Sequence, residues 1–226
     1  MNTSERKRAL RSALRQERRQ WTGFERASAE DMICDAIRHR PEIMHARWIG
    51  AYLAFDGEVD LSGLWGGGHP IIDAPDDEYE RSLLPNALNQ VTSHPAQLPL
   101  RSKLIFPRHR RDEPLSFVRP LRWVGDKALL LPEGPTISLT DINVLLIPGV
   151  AFSSAHGSRL GLGGGHYDRT LALRVNLSWS VKAFGVGFCF QQRPQLPLEP
   201  WDAPLDGVFT ERGLLEPINP YAEPTE

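Results

Sequence analysis

Cysteine is scarce in this sequence: there are two, Cys34 and Cys189, and neither sits in a CxxC or beside a histidine pair. That excludes a disulfide framework and a zinc site of ordinary spacing, and it fits a reducing compartment. No apolar run approaches the ~18 residues of a membrane-spanning helix. The basic N-terminus lacks the apolar stretch of a secretory signal, so a cytoplasmic protein with no membrane partner is expected. Positive charge is not in excess either. A net charge of -2 argues against a general nucleic-acid binder. No Walker motif GxxxxGK[ST] is present, and a GxGxxG fingerprint fails because its last position is His166. No Ser/His/Asp or Cys/His nucleophile constellation stands out.

What is present is an ordinary globular composition, 41% hydrophobic and 24% charged. "SERKRALRSALRQERRQW" predicts a helix with Leu10 and Leu14 on one face and Ser4 as N-cap. "FERASAEDMICDAIRHR" predicts a second helix stopped by Pro41. "ARWIGAYLAF" reads as a strand, and "EVDLSGLW" as a turn into a short helix. From about 66 to 101 the pattern is irregular and insertion-like, with a helix over "DDEYERSLLPNALNQV" kinked or ended at Pro85. "SKLIFP", "INVLLIPGVAF" and "VKAFGVGFCF" read as strands, the second apolar enough to be buried on both faces. Between the last two lie a glycine loop and the helical "RTLALRVNL", which makes a βαβ unit. The fold class is α/β, with a largely parallel open sheet flanked by helices, a basic N-terminal helix, and one domain over residues 1–226. The prolines after Pro194 predict a C-terminal segment lying over the surface.

The glycine loop "RLGLGGGHYDR", Arg159 to Arg169, needs a use for its lost backbone entropy: a tight turn, or close approach to a ligand. The longer loop from Pro148 to Asp168 that holds its glycines leaves the C-terminal end of the most apolar strand and precedes a helix N-terminus, a place where anions bind. Glycine N–H groups can cradle phosphate oxygens, Arg159 offers a guanidinium fork, and Asp168 can take a cation such as Mg²⁺. Together they point to a nucleotide phosphate with its metal. Asp168 can equally be the N-cap of the next helix. On the first helix Lys7, Arg11, Arg15 and Arg19 recur at i, i+4, which is mutually repulsive. They form either a solvated face or, in part, a seat for a polyphosphate.

Read together, "LLIPGVAFSSAHGSRLGLGGGHYDRTLA", "KRALRSALRQERR", "YLAFDGEVD" and "LPLEPWDAPLDGVFTERG" resemble the 5-formyltetrahydrofolate cyclo-ligase family, in family order and over nearly the whole chain. The resemblance implies an enzyme that uses ATP and Mg²⁺ to close 5-formyltetrahydrofolate to 5,10-methenyltetrahydrofolate, releasing ADP and phosphate. The formyl oxygen would be phosphorylated to an iminium phosphate, which N10 then attacks. Phosphoryl transfer of this kind needs positioning and charge neutralisation rather than a protein nucleophile.

By the same resemblance, Lys7, Arg8 and Arg11 would contact ATP phosphates. Arg159, Leu160, Gly161, Leu162, Gly163, Gly164, Gly165, His166 and Tyr167 would wrap the triphosphate, with Arg159 also catalytic. Asp168 and Asp202 would hold Mg²⁺. Leu53 and Glu58 would bind the folate, and the stretch Leu162 to His166 would line the meeting point of the two substrates. Folate and ATP are the expected partners, and a monomer the expected state. Two departures stand out: His166 replaces the family's usual Tyr, and the region after Glu58 is longer than usual. They keep open a divergent member acting on another acceptor, for example in thiamine metabolism. A non-catalytic nucleotide-binding module is the third reading.

Overall fold

The computed structural model describes residues 2–66, 100–126 and 129–217. The helix expected around Pro85, and nearly all of the insertion expected at 66–101, lie outside them. The chain opens with α1 (Thr3–Gln20), α2 (Phe24–Arg38) and α3 (Pro41–His45). The cap of α1 is Asn2 rather than the expected Ser4. Asn2 Oδ1 accepts from Glu5 N at 2.9 Å, and Glu5 Oε2 accepts from Asn2 N at 2.9 Å. A capping box needs its acid at the third helical position, and only Asn2 puts Glu5 there. Pro41 does not follow α2 directly; it opens α3, where its missing N–H is no loss.

The strands are β1 (Ile49–Gly50), β2 (Leu104–Arg108) and β3 (Ser116–Val118). The hairpin β4 (Arg122–Asp126) and β5 (Leu129–Glu133) follows, then β6 (Thr136–Ile137) and β7 (Val144–Pro148). A second hairpin, β8 (Ala151–Ser153) and β9 (Ser158–Leu160), leads through the glycine loop into α4 (His166–Asn176). β10 (Lys182–Val186), β11 (Gly207–Thr210) and β12 (Gly213–Leu215) complete the described part. Eight strands form one sheet in the order β12-β11-β10-β7-β1-β2-β3-β6. Its five central strands are parallel, and the antiparallel ones lie at the edges.

Burial on both faces explains the apolar run of β7. Val144 and Leu146 pack with Ile33 and Ile37 of α2, while Leu145 and Ile147 pack with Leu171 of α4. β7–α4–β10 is the expected βαβ unit, with β7 and β10 parallel neighbours. Two expected strands are shorter than read. "ARWIGAYLAF" contributes only Ile49–Gly50, and "INVLLIPGVAF" breaks after Pro148 and turns into β8. At that break only glycine fits, since a Cβ on Gly149 would stand 2.6 Å from the Phe152 ring. The segment after Pro194 does not simply lie over the surface: it buries Leu196 and Leu205 and then supplies β11 and β12, with Val208 and Phe209 in the core, because no proline falls within 207–215.

Candidate active site

Leu14, with Leu10 beside it, packs on Val150, Ala151 and Leu160 of the β8–β9 hairpin. That apolar contact lays α1 across the carboxyl end of the sheet, beside the loop that leaves β9. Between them opens a cleft of about 1250 Å³, lined by Lys7, Arg8, Arg11, Leu53, Glu58, Arg159 through Asp168, and Asp202. The residues that the resemblance assigned to ATP, folate and Mg²⁺ therefore line one space, whereas Arg15 and Arg19 of the basic row do not.

The basic row of α1 is divided by function of place. Lys7 Nζ donates to Asp202 Oδ2 at 2.7 Å, and Arg11 Nε to Gly161 O at 2.8 Å. Burial pulls the Arg11 guanidinium below its ordinary pKa, against the opposing charge of Asp202. Further along, Arg15, Arg18 and Arg19 all converge on the carboxylate of Asp56. A purely solvated face is thus excluded for Lys7, whose side chain is 9% exposed.

The glycine loop is shaped by close approach. A Cβ on Gly161 would sit 2.9 Å from Arg159 Nη1, and Gly163 has φ of 111°. Either position resists a side chain, so the bare backbone of the loop can lie close along the cleft. Arg159 is buried; its Nη2 donates to Asp168 Oδ1 at 2.8 Å and its Nη1 to Pro148 O at 3.3 Å. Its guanidinium also lies over the Tyr167 ring, 5.4 Å from the centroid. Asp168 is not the N-cap of α4. Gly165 holds that position and Asp168 is third in the helix, where its charge complements the helix N-terminus.

On the other side of the cleft, the turn after Leu53 carries Glu58, buried, with Oε2 accepting from Phe55 N at 3.2 Å. Burial raises its pKa to about 7, with Arg18 as the main opposing influence. Tyr167 is pushed up by burial and by the charge of Glu58. Tyr52, whose hydroxyl donates to Val59 O at 3.1 Å, is raised for the same reasons.

Whether ATP and Mg²⁺ suit this chain can be judged from its donors. Arg159 Nε is buried without a hydrogen-bond partner among the described residues, a cationic donor in want of an acceptor. Those residues hold no group of three or more His, Cys, Asp or Glu side chains fit for a metal. Asp168 and Asp202 supply two carboxylates to the cleft, and Mg²⁺ characteristically takes one or two carboxylates with substrate phosphates and water. The donor set fits.

Sequence reading missed several residues of the cleft. His109 brings its ring 5.5 Å from that of His166, and Phe55 and Trp201 present exposed aromatic surface there. It also missed Asp56 and Arg18. The only local signal was the Asp-Gly turn pair, since their contacts span 38 residues of chain.

Comparison with known proteins gives a consistent result. A family model described as "5-formyltetrahydrofolate cyclo-ligase family" matches residues 3–211. The chain is 30% identical over 212 residues to a 5-formyltetrahydrofolate cyclo-ligase of Haemophilus influenzae, covering 92% of this chain and 99% of that one. It is 31% identical over 197 residues to the Saccharomyces cerevisiae protein of that name, with 84% and 87% covered. An NMR structure of Aquifex aeolicus 5,10-methenyltetrahydrofolate synthetase superposes with a TM-score of 0.65 at 25% identity, covering 97% of this chain and 96% of that one.

Proposed function

The chain belongs to the 5-formyltetrahydrofolate cyclo-ligase family, and from that premise we propose that it closes 5-formyltetrahydrofolate to 5,10-methenyltetrahydrofolate using Mg²⁺ and ATP. The observation that carries this reading is the single cleft. It sets a phosphate-type surface of Lys7, Arg8, Arg11 and Gly161 to Gly165 facing a buried carboxylate, Glu58.

The formyl group resists ring closure because its oxygen leaves poorly. Transfer of the γ-phosphoryl group to that oxygen makes an iminium phosphate. N10 attacks its carbon, the C–O bond breaks with loss of phosphate, and the N10 proton departs to complete the methenyl ring. In this scheme the protein contributes no nucleophile. Lys7, Arg8 and Arg11 seat the triphosphate, with the loop N–H groups alongside. Arg159, already desolvated, stabilises charge on the transferring phosphoryl group. Asp168 and Asp202 would hold Mg²⁺, which supplies charge neutralisation at the phosphates. Glu58 accepts hydrogen bonds from the donor edge of the pterin, and Leu53 packs beside it. His166 would meet the folate from the same loop.

Incubation of the protein with 5-formyltetrahydrofolate and Mg-ATP tests the reading. Methenyl absorbance should grow only with both. ADP formation with some other acceptor, and none with this folate, would favour a divergent family member.

A further inference from the structure

Asp56 has a backbone φ of 55°, unusual for a residue with a side chain, and its carboxylate is 5% exposed. Three guanidinium groups meet there: Arg15 at 2.6 Å, Arg18 at 3.2 Å, and Arg19. Arg18 is fully buried and makes two further bonds. Its Nε donates to Asp56 O at 2.9 Å and its Nη1 to Gly149 O at 3.0 Å. Gly149 O is also held by Gln191 Nε2 at 2.8 Å. The next residue back, Pro148, accepts from Arg159. Glu58 stands two residues beyond Asp56.

A continuous line of contacts thus runs from Arg159 through Pro148, Gly149, Arg18 and Asp56 to the turn of Glu58. Burying a whole arginine is costly unless it is paired, and here its acceptors belong to two cleft-lining segments, the turn that carries Glu58 and the Pro148-Gly149 stretch beside Arg159. We propose that Arg18 and Asp56 are positioning residues, a buried tie that fixes the separation between the folate-side turn and the nucleotide-side loop. This rests on the assignments above of Glu58 to folate and the loop to ATP. Neither residue touches the reacting atoms. Their effect comes through geometry, because a phosphoryl group must be presented within ~3–3.5 Å of the formyl oxygen.

The test uses the full chain with two conservative variants, Asp56→Asn and Arg18→Lys. Calorimetric titration with 5-formyltetrahydrofolate and, separately, Mg-ATP gives each affinity; turnover and melting temperature are measured on the same samples. Asp56→Asn should weaken folate binding about tenfold while ATP binding changes less than about twofold. Arg18→Lys should weaken both and lower kcat as well, since one ammonium cannot reach acceptors on both sides. Wild-type affinities and kcat in both variants, with only a lower melting temperature, would overturn the proposal. So would Asp56→Asn weakening ATP alone. Should Asp56→Asn not fold, Arg15→Gln, at a half-exposed partner of the same carboxylate, must still show a selective loss of folate affinity. A wild-type protein that binds both ligands without forming product would refute the cyclo-ligase reading and leave the tie to be judged on the affinities. One that binds no folate would refute both.

Discussion

Lys7 Nζ lies 2.7 Å from Asp202 Oδ2, joining the first helix to a residue 195 positions later. The two side chains are 9% and 16% exposed, so the pair is largely out of water. Arg11 beside them is bonded to the glycine loop. The arrangement brings the first helix, the segment before β11 and the loop together at what we take as the nucleotide end of the cleft.

Replacing Lys7 with Gln should therefore raise the KM for ATP by roughly tenfold or more, the worth of one charge-assisted contact. The KM for folate should move far less. The melting temperature should fall too, because Asp202 loses its charged partner and keeps only the bond from Glu199 N. Equal changes in both Michaelis constants would remove Lys7 from the ATP side.

Glu58 makes a prediction about pH. Its carboxyl binds a proton more tightly folded than unfolded, with a pKa of about 7 against the ordinary 4.5. Ionisation therefore costs stability progressively as pH rises from about 4.5 to about 7, by about 3 kcal/mol in all. Glu58→Gln should be more stable than the parent above pH 7, and the gap should close below pH 4.5. The same variant should bind folate more weakly. Denaturant titrations at the two ends of that range check the sign; a gap independent of pH would contradict it.

Asp168→Asn should reduce turnover by several orders of magnitude, and added Mg²⁺ should not restore it. Some stability should also go, about 1–3 kcal/mol, because Arg159 is buried and loses its charged partner. Turnover near wild type well below the melting range would reduce Asp168 to a structural partner of Arg159.

Gly161→Ala tests the loop. The added methyl would meet Arg159 Nη1 at 2.9 Å, and that guanidinium is pinned to Asp168 and Pro148. We expect kcat to fall more than the KM for ATP rises, since displacing Arg159 removes stabilisation of the transferring group rather than ground-state binding. An intact kcat would show that Arg159 is not needed where it stands.

How much of this was legible beforehand follows from the range of the interactions. The apolar run of β7 and the Leu10–Leu14 stripe of α1 are local patterns, and both pointed to the surfaces they bury. The glycine loop's composition left a tight turn and a ligand-facing segment both open, and the family resemblance favoured the second. Long-range partners were not readable. The cationic row of α1 looked uniform, yet Lys7 pairs with Asp202 and Arg11 with the loop, while Arg15 and Arg19 serve Asp56. Arg18, outside that i, i+4 row, carries the most buried contact. Asp168 was ambiguous between cap and ligand because capping depends on a single-residue register, and Gly165 takes the cap instead.

In the proposed reaction the γ-phosphoryl group passes to the formyl oxygen before the ring closes. Substrate labelled with ¹⁸O in the formyl group tests it most directly, with mass analysis of the phosphate released. The account predicts one labelled oxygen in phosphate for each methenyl product formed. Unlabelled phosphate, with the label recovered in water, would contradict it.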